Sequence, residues 1–338
     1  MNTFVSGRFW VGLLCAAAGL AMSTRLSAVE VPNGLYVVSG GTNILRFDVT
    51  TGAFIEKYVD LGAGAGARGL HLGPNLELWA ATANGIISID GTKTVTSRLP
   101  AASPNYFDLD FFSLGGTNYL YTTRPAAAIA PAGTNAVERR VWNGSSLSGP
   151  TSMLDAPRLA RGVEGFELLA PPNPGVPSAF FATGNESASY SLLRSDNVYG
   201  SSSVGSPIGG YLDIEYNPVT DKYYTTLTPE FGGSTSRIDI YQYTGSPTYT
   251  LTGFNFSSNP LLIQPRMLTL DRFSNSYITQ VNGNVLRFDG ITGAYTIFVP
   301  AGTGGLADPW GIAFVIPEPS TTMLLAVGGL ALLRRRHS

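Results

Sequence analysis

"NILRFDVTTGAF" (residues 43–54) and "NVLRFDGITGAY" (residues 284–295) lie near opposite ends of the chain and are identical at eight of twelve positions. In each copy an apolar run leads into Thr-Gly and then into a second apolar run, which predicts two strands joined by a tight turn. Self-similarity at opposite ends of a chain is typical of a repeat array. Weaker copies are therefore expected between the two.

Six aromatic or apolar strand cores support this interpretation. They are "LYVV" (35), "LELWAAT" (76), "NYLYTT" (118), "SAFFAT" (178), "KYYTTL" (222) and "NSYITQ" (275). Measured between their central aromatic residues, from Tyr36 to Tyr277, the steps are 43, 42, 60, 43 and 53 residues. A four-stranded propeller blade takes about 40–50 residues, and the two long steps contain Pro/Gly-rich insertions.

A further set of strands is predicted by strict alternation of apolar residues. The six stretches are "GLHL" (69), "DLDF" (108), "GFEL" (165), "DIEY" (213), "MLTL" (267) and "GIAF" (311). The last of these follows the last strand core, so it is expected to pair with the first core at residue 35. Such pairing would close a ring and remove the free sheet edges.

The fold predicted for residues 31–316 is thus an all-β, six-bladed β-propeller in which N- and C-terminal strands share one blade. The pattern resembles the six-bladed families that include NHL repeats, lactonase-type propellers and streptogramin lyases. Two alternatives remain open: a seventh, degenerate blade within the 60-residue step, and a pair of β-sandwiches.

Composition limits the function classes. The formal net charge is -2 and only 13% of residues are charged, so the chain has no basic footprint for nucleic acid. Residues 1–28 have Arg8, an apolar run and then small residues, which predicts a secretory signal peptide. A lipoprotein signal using Cys15, the only cysteine, is the alternative. A mature chain without cysteine must depend on its core for stability.

The C-terminal stretch 317–338 predicts a sorting signal. Pro317, Glu318 and Pro319 precede an apolar stretch of 13 residues, Thr321 to Leu333, which predicts a short transmembrane helix. Positive charge is retained on the cytoplasmic side of a membrane, so the cluster that follows would stay inside. That cluster consists of Arg334, Arg335 and Arg336.

Together these features resemble the PEP-CTERM sorting signal of Gram-negative bacteria. The resemblance implies recognition by the membrane peptidase exosortase, transient insertion in the inner membrane, loss of the tail and export to the cell surface or beyond. Proteins with this signal usually accompany exopolysaccharide and biofilm matrix. The alternative is a plain C-terminal anchor that is never cut.

The predicted inner strands also carry the candidate chemistry. Their third positions read His71, Asp110, Glu167, Glu215, Thr269 and Ala313. Residues two apart share a strand face, so acidic side chains at the first and third positions are expected to meet near the propeller axis. Converging carboxylates repel each other unless they are protonated or neutralised by a cation, and oxygen ligands suit Ca²⁺.

Asp110, Glu167 and Glu215 are therefore candidate ligands of a divalent ion, and His71 beside them is the candidate catalytic histidine. Lactonase-type propellers hold a metal in a comparable place and streptogramin lyases use a histidine and a glutamate, but their local motifs are not found here. In the alternative, these carboxylates face channel water or pair with arginines, namely Arg68, Arg161 and Arg266.

Two function classes follow. The first is a non-catalytic, exported propeller that binds extracellular polysaccharide or a surface protein. The second is a secreted propeller enzyme, a lactonase-like hydrolase or a lyase, that uses an axial metal. The sequence favours the first class, because low charge, many aromatic residues and Pro/Gly-rich loops accompany the sorting signal.

Overall fold

The computed structural model shows an all-β chain. It describes residues 29–316 apart from 101–105, 115, 124–134, 156–162, 169–178, 187–188, 197–199, 204–210, 218, 221, 230–235, 243–249 and 252–258. The predicted signal peptide and the predicted C-terminal helix therefore lie outside the described residues. Within the described ranges, no helix is long and apolar enough to cross a membrane.

The described strands form six four-stranded antiparallel sheets. The first sheet contains β1 (Gly34–Ser39), β2 (Asn43–Phe47), β3 (Phe54–Asp60) and β24 (Pro309–Val315). The second contains β4 (Leu70–Leu72), β5 (Leu78–Thr82), β6 (Gly85–Ile89) and β7 (Val95–Leu99). The third contains β8 (Leu109–Leu114), β9 (Thr117–Thr123), β10 (Asn135–Trp142) and β11 (Thr151–Asp155).

The other three sheets follow in chain order. The fourth contains β12 (Val163–Leu168), β13 (Ala179–Glu186), β14 (Ser189–Asp196) and β15 (Gly200–Ser203). The fifth contains β16 (Tyr211–Asn217), β17 (Lys222–Leu227), β18 (Arg237–Gln242) and β19 (Thr250–Leu251). The sixth contains β20 (Pro265–Leu270), β21 (Asn275–Gln280), β22 (Val285–Asp289) and β23 (Tyr295–Val299), and a short 3₁₀ turn at Thr303–Gly305 leads to β24.

The predicted pairing of the two ends is confirmed. Strand β24 runs antiparallel to β1, with Leu35 opposite Phe314 and Val37 opposite Ile312. The innermost strands β4, β8, β12, β16, β20 and β24 each contact the next one around a ring. This is the propeller architecture that the repeat predicts. The 60-residue step is filled by β10 and β11 of the third sheet, and the described strands contain no seventh sheet.

The two copies of the repeat fold in the same way. In each, the carboxylate of the repeat aspartate accepts hydrogen bonds from turn amides, Thr50 and Thr51 for Asp48, and residues 291 and 292 for Asp289. Gly52 (φ 70°) and Gly293 (φ 74°) adopt the left-handed conformation that closes the turn. The predicted strand–turn–strand unit is therefore present at both ends of the described chain.

Glycines let the inner strands approach each other closely. A Cβ added at Gly311 in β24 would lie 2.2 Å from the carbonyl oxygen of Arg68, and one added at Gly69 would lie 2.7 Å from Cα of Asp108. Only a residue without a side chain fits between backbones at this distance. The narrow ring that results brings polar side chains of different sheets together at the axis.

Candidate functional site

His71 and Asp110 form a pair that links two neighbouring sheets at the axis. His71 lies in β4 and Asp110 in β8, and His71 Nε2 is 2.9 Å from Asp110 Oδ1. The other ring nitrogen, Nδ1, donates to the carbonyl oxygen of Leu72 over 2.9 Å. Asp110 Oδ1 also accepts a hydrogen bond from the backbone amide of Phe111. The candidate histidine is thus held on both sides of its ring.

This arrangement decides the protonation of the pair. A carbonyl oxygen can only accept, so Nδ1 carries a proton, and the contact at Nε2 requires one more proton on His71 or on Asp110. Burial disfavours charge on the ring, but the Asp110 carboxylate and the two hydrogen bonds outweigh it and raise the pKa of His71 above its usual 6.5. Below this raised pKa, His71 and Asp110 form an imidazolium–carboxylate pair.

Carboxylates at two inner strands, β8 and β16, surround a small cavity beside this pair. The volume that the centre of a water-sized sphere can occupy in this cavity is only about 10 Å³, so the cavity has room for about one water molecule. Its polar lining consists of His71, Asp108, Asp110, Asp213 and Glu215. The expectation that acidic side chains of the inner strands meet at the axis agrees with this lining.

Asp213 is the most buried carboxylate of the group. Its Oδ2 accepts from the backbone amide of Leu268 on the next inner strand over 2.6 Å, and its Oδ1 accepts from the amide of Ile214 over 2.9 Å. Burial raises the pKa of Asp213 to about 7 against these two bonds, and the negative charge of Asp110 adds to the rise. Asp213 therefore takes up a proton more readily than an exposed aspartate does.

A wider cavity of about 410 Å³ continues from the small one. His71 and Glu215 line both cavities and so lie at the boundary between them. The wider cavity is further lined by the rings of Tyr216 and Phe314 and by polar side chains, namely Thr269, Asp271 and Arg272. Its volume lies in the range of sites that take small organic ligands.

The structure describes two of the three predicted metal ligands. Asp110 faces His71, and Glu215 lines the same small cavity. Strand β12 is described, but the side chain of Glu167 is not. Among the described side chains, no three His, Cys, Asp or Glu residues are grouped closely enough to hold a metal ion. The metal site remains a prediction that depends on Glu167.

Two of the three arginines named in the alternative interpretation contact aromatic rings. Arg266 Nη1 is 2.6 Å from Asp308 Oδ1, and its guanidinium lies 3.9 Å from the ring centre of Trp310. The guanidinium of Arg68 lies 4.8 Å from the ring centre of the same Trp310 and 5.0 Å from that of Phe107. Arg161 lies outside the described residues.

Sequence reasoning did not select Asp213, Tyr216 or Arg272 as site residues. A signal for Asp213 was present, because it occupies the first position of "DIEY" and shares a strand face with Glu215. Arg272 lies in the turn between β20 and β21, which has no counterpart in the alternation pattern. Its position at the axis mouth depends on the turn conformation.

The C-terminal tail contains a sorting signal. A family model described as the PEP-CTERM protein-sorting motif matches residues 315–336. The chain carries a PEP-CTERM sorting motif. This motif implies export, and it is the exosortase recognition signal, which supports exosortase as the processing partner of this protein. No curated protein sequence matches the chain.

Solved structures show the same propeller fold at low sequence identity. A chain of a nidogen/laminin complex has 11% identity and a TM-score of 0.63, and the match covers 84% of this chain and 99% of that one. A protein of unknown function from Bacteroides caccae has 10% identity and a TM-score of 0.60 over 85% and 100% of the two chains. A gluconolactonase from Xanthomonas campestris has 13% identity and a TM-score of 0.50 over 81% and 88%. At these identities the likeness concerns the fold alone.

Proposed function

We propose that this exported propeller is a non-catalytic binding module of the cell surface or extracellular matrix. Its ligand is a sugar unit of extracellular polysaccharide, bound in the wider axial cavity. The observation that carries the proposal is the lining of that cavity of about 410 Å³, in which Tyr216 and Phe314 supply rings for a sugar face. Glu215, Thr269 and Arg272 supply hydrogen-bond partners for hydroxyl groups.

The state of His71 favours binding over base catalysis. A general base needs a free lone pair within reach of the proton that it abstracts. Both ring nitrogens of His71 face oxygen acceptors at 2.9 Å, and its pKa is raised, so the ring acts as a donor rather than as a base. Because Leu72 and Asp110 take both ring nitrogens, His71 has neither a free lone pair for base catalysis nor a free donor for a ligand, and its role is to fix Asp110 at the axis.

Binding is tested by calorimetry with purified polysaccharide from the host's matrix and with its oligosaccharides. Tyr216→Ala removes a ring from the cavity and is expected to weaken binding about two- to tenfold, whereas Tyr216→Phe keeps the ring and should bind like the parent. Phe54→Ala, which changes a 39% exposed ring on β3, is the control. Equal affinity of the parent and Tyr216→Ala would refute a sugar site at the axis.

The sorting signal adds the route to the surface. In this proposal exosortase cuts near Pro317-Glu318-Pro319 after transient insertion of the tail in the inner membrane, and the propeller is released to the outside. Changing Arg334, Arg335 and Arg336 together to Gln should leave uncut protein in the cell envelope. Fractionation with an antibody to the propeller measures this, and unchanged release would show that the tail does not sort the protein.

A propeller enzyme, a hydrolase or lyase with an axial divalent ion, is the second candidate. The observation in its favour is that Asp110, Asp213 and Glu215 line one cavity of single-water size. The described donors alone do not make a metal group, so this candidate requires the side chain of Glu167. Titration with Ca²⁺ in a calorimeter should give heat that Glu167→Gln abolishes. An absence of heat at millimolar Ca²⁺ would eliminate the candidate.

A further inference from the structure

The corresponding arginine has different partners in the two copies of the repeat. In the first copy, Arg46 of β2 lies opposite Glu56 of β3, and its Nη1 is 3.0 Å from Glu56 Oε1. Its Nε and Nη2 donate to the carbonyl oxygen of Asn33 over 2.9 and 2.6 Å. The guanidinium is therefore neutralised by a carboxylate and has its main donors satisfied.

In the last copy, Arg287 of β22 lacks these partners. The residue opposite it on β23 is Thr296 rather than an acid. Its Nη2 donates to Asn275 Oδ1 over 3.1 Å, and its Nε has no hydrogen-bond partner in the described part of the chain. No carboxylate among the described residues forms an ion pair with it. A half-buried guanidinium left in this way has donors available for an anion.

A cavity of about 350 Å³ opens on Arg287 at the rim of the propeller, between the first and the last sheet. Arg272 also lines it, with its guanidinium 4.7 Å from the ring centre of Phe273. We call this space the rim cavity. The remaining lining includes Asn33, Thr50, Asn275, Tyr277, Phe314 and Ile316.

The one carboxylate among the residues that line the rim cavity, Asp271, already accepts hydrogen bonds from its neighbours. Asp271 accepts hydrogen bonds from the backbone amides of Phe273 and Asn275, at 2.8 and 2.9 Å. It also accepts from Asn275 Nδ2 at 2.7 Å and from the hydroxyl of Tyr277 at 3.2 Å. Two arginines against one such aspartate leave the rim cavity with a net positive charge, which favours a ligand with one negative charge.

We propose that the rim cavity is a carboxylate-binding site centred on Arg287, and that its ligand class is a carboxylated sugar. A carboxylate can accept two parallel hydrogen bonds from a guanidinium. In the other copy Glu56 accepts one such bond from Arg46 Nη1 at 3.0 Å. Phe273, which is 59% exposed, and Phe314 supply the apolar surface for a sugar ring, and the buried ring of Tyr277 supports Phe314 from behind at 4.9 Å.

The chain itself contains a second source of the same group. Ile316 lines the rim cavity, and Glu318 follows two residues later, within about 7 Å of chain length. It is the only acidic residue after Asp308. Glu318 of the sorting motif can therefore compete with an added carboxylate for Arg287, and the test must separate the two.

The experiment is a calorimetric titration of the full chain in detergent with glucuronate, and with glucose as the neutral control. Two variants remove the site by different routes. Arg287→Gln deletes the guanidinium charge, and Thr296→Glu places an acid opposite Arg287, as Glu56 lies opposite Arg46. Because Thr296 is exposed, the second change should leave folding intact. Lys57→Gln is the control, because Lys57 is exposed, contacts Asp60 at 3.3 Å and does not line the rim cavity. Thermal unfolding of every variant is recorded.

We expect the parent to bind glucuronate and not glucose, with affinity reduced about tenfold or more in Arg287→Gln and in Thr296→Glu but kept in Lys57→Gln. If the parent does not bind and Glu318→Gln does, in an Arg287-dependent way, the tail carboxylate competes for Arg287 and the proposal stands. Three results overturn it: no binding by the parent and Glu318→Gln alike, binding that Arg287→Gln and Thr296→Glu leave unchanged, or an equal loss in Lys57→Gln.

The rim cavity shares Asp271, Arg272 and Phe314 with the wider axial cavity, but Arg287 lines only the rim cavity and Tyr216 only the axial one. Glucuronate binding that Tyr216→Ala leaves unchanged therefore separates this proposal from the axial one.

Discussion

Gly311→Ala tests whether the ring is closed as tightly as the structure shows. The added Cβ would lie 2.2 Å from the carbonyl oxygen of Arg68 and 2.9 Å from the backbone carbon of Gly69. Ordinary van der Waals contacts of a Cβ lie at 3.4–4 Å, so β24 and the residues just before β4 must separate by about 1 Å. Neither atom belongs to a flexible side chain, so the backbone of the ring has to move. Overpacking of this kind costs about 1–3 kcal/mol.

The assay is thermal unfolding of the full chain, for which each kcal/mol corresponds to about 2–4 °C in a protein of this size. The melting temperature of Gly311→Ala is therefore expected to fall by about 2–12 °C. Gly149→Ala is the control, because a Cβ there meets nothing within 4 Å and the glycine has no positive φ. Equal melting temperatures for the two variants would refute the close approach of the inner strands and, with it, the narrow axis.

Three further predictions concern charge. The raised pKa of His71 means that its pair with Asp110 stabilises the fold fully below pH 6.5 and that this contribution is lost as pH rises through the folded pKa. In urea unfolding, the parent should therefore be more stable than His71→Gln at acidic pH, and the difference should shrink towards alkaline pH. A difference that stays constant with pH would argue against the charged pair. Burial raises the pKa of Asp213 to about 7 in the folded protein, so the free energy of unfolding should decrease on its account as pH rises from about 4 to 7. ¹³C NMR should place the titration midpoint of its carboxyl near 7 in the parent and lower in Asp110→Asn. A midpoint near 4 in the parent would contradict the burial argument. Arg98 Nη2 contacts both carboxylate oxygens of the buried Glu77, at 3.3 and 3.0 Å. Arg98→Ala leaves that carboxylate buried without its partner, so the free energy of unfolding measured in urea should fall by about 3–5 kcal/mol. A loss under about 1 kcal/mol would mean that the pair behaves as an exposed one.

The fold could be predicted from the sequence because its signals are periodic. Alternation with a period of two identified the six inner strands, since one side of each is packed against its neighbours. The surplus strand "GIAF" had no partner within its own copy, and pairing with "LYVV" was the one arrangement that left no open edge. The structure shows that pairing between Ile312 and Val37.

The candidate site could be predicted only in outline. A shared strand face indicated that acidic residues would meet near the axis, but the 2.9 Å contact between His71 and Asp110 depends on how far each sheet is rotated about the ring. Such rotation comes from sheet twist and from packing between sheets, which a single sequence does not reveal.

The rim cavity depends on an irregularity that has no sequence signal. A register shift between Arg46 and Phe47 in the first copy brings Glu56 opposite Arg46. The last copy keeps its register at the corresponding point, and Thr296 falls opposite Arg287. Two stretches that are nearly identical in sequence therefore place the same arginine in different electrostatic surroundings.

The closing strand has a mechanical consequence for the sorting step. Strand β24 ends at Val315, which is also the first residue matched by the sorting motif, so no spacer separates the last ladder of hydrogen bonds from the signal. Tension applied to the tail acts directly on the pairing between β24 and β1 that holds the ring shut. In the proposed sorting step, a peptidase bound to the tail would load the β1–β24 pairing that closes the domain, and cleavage of the tail would remove that load.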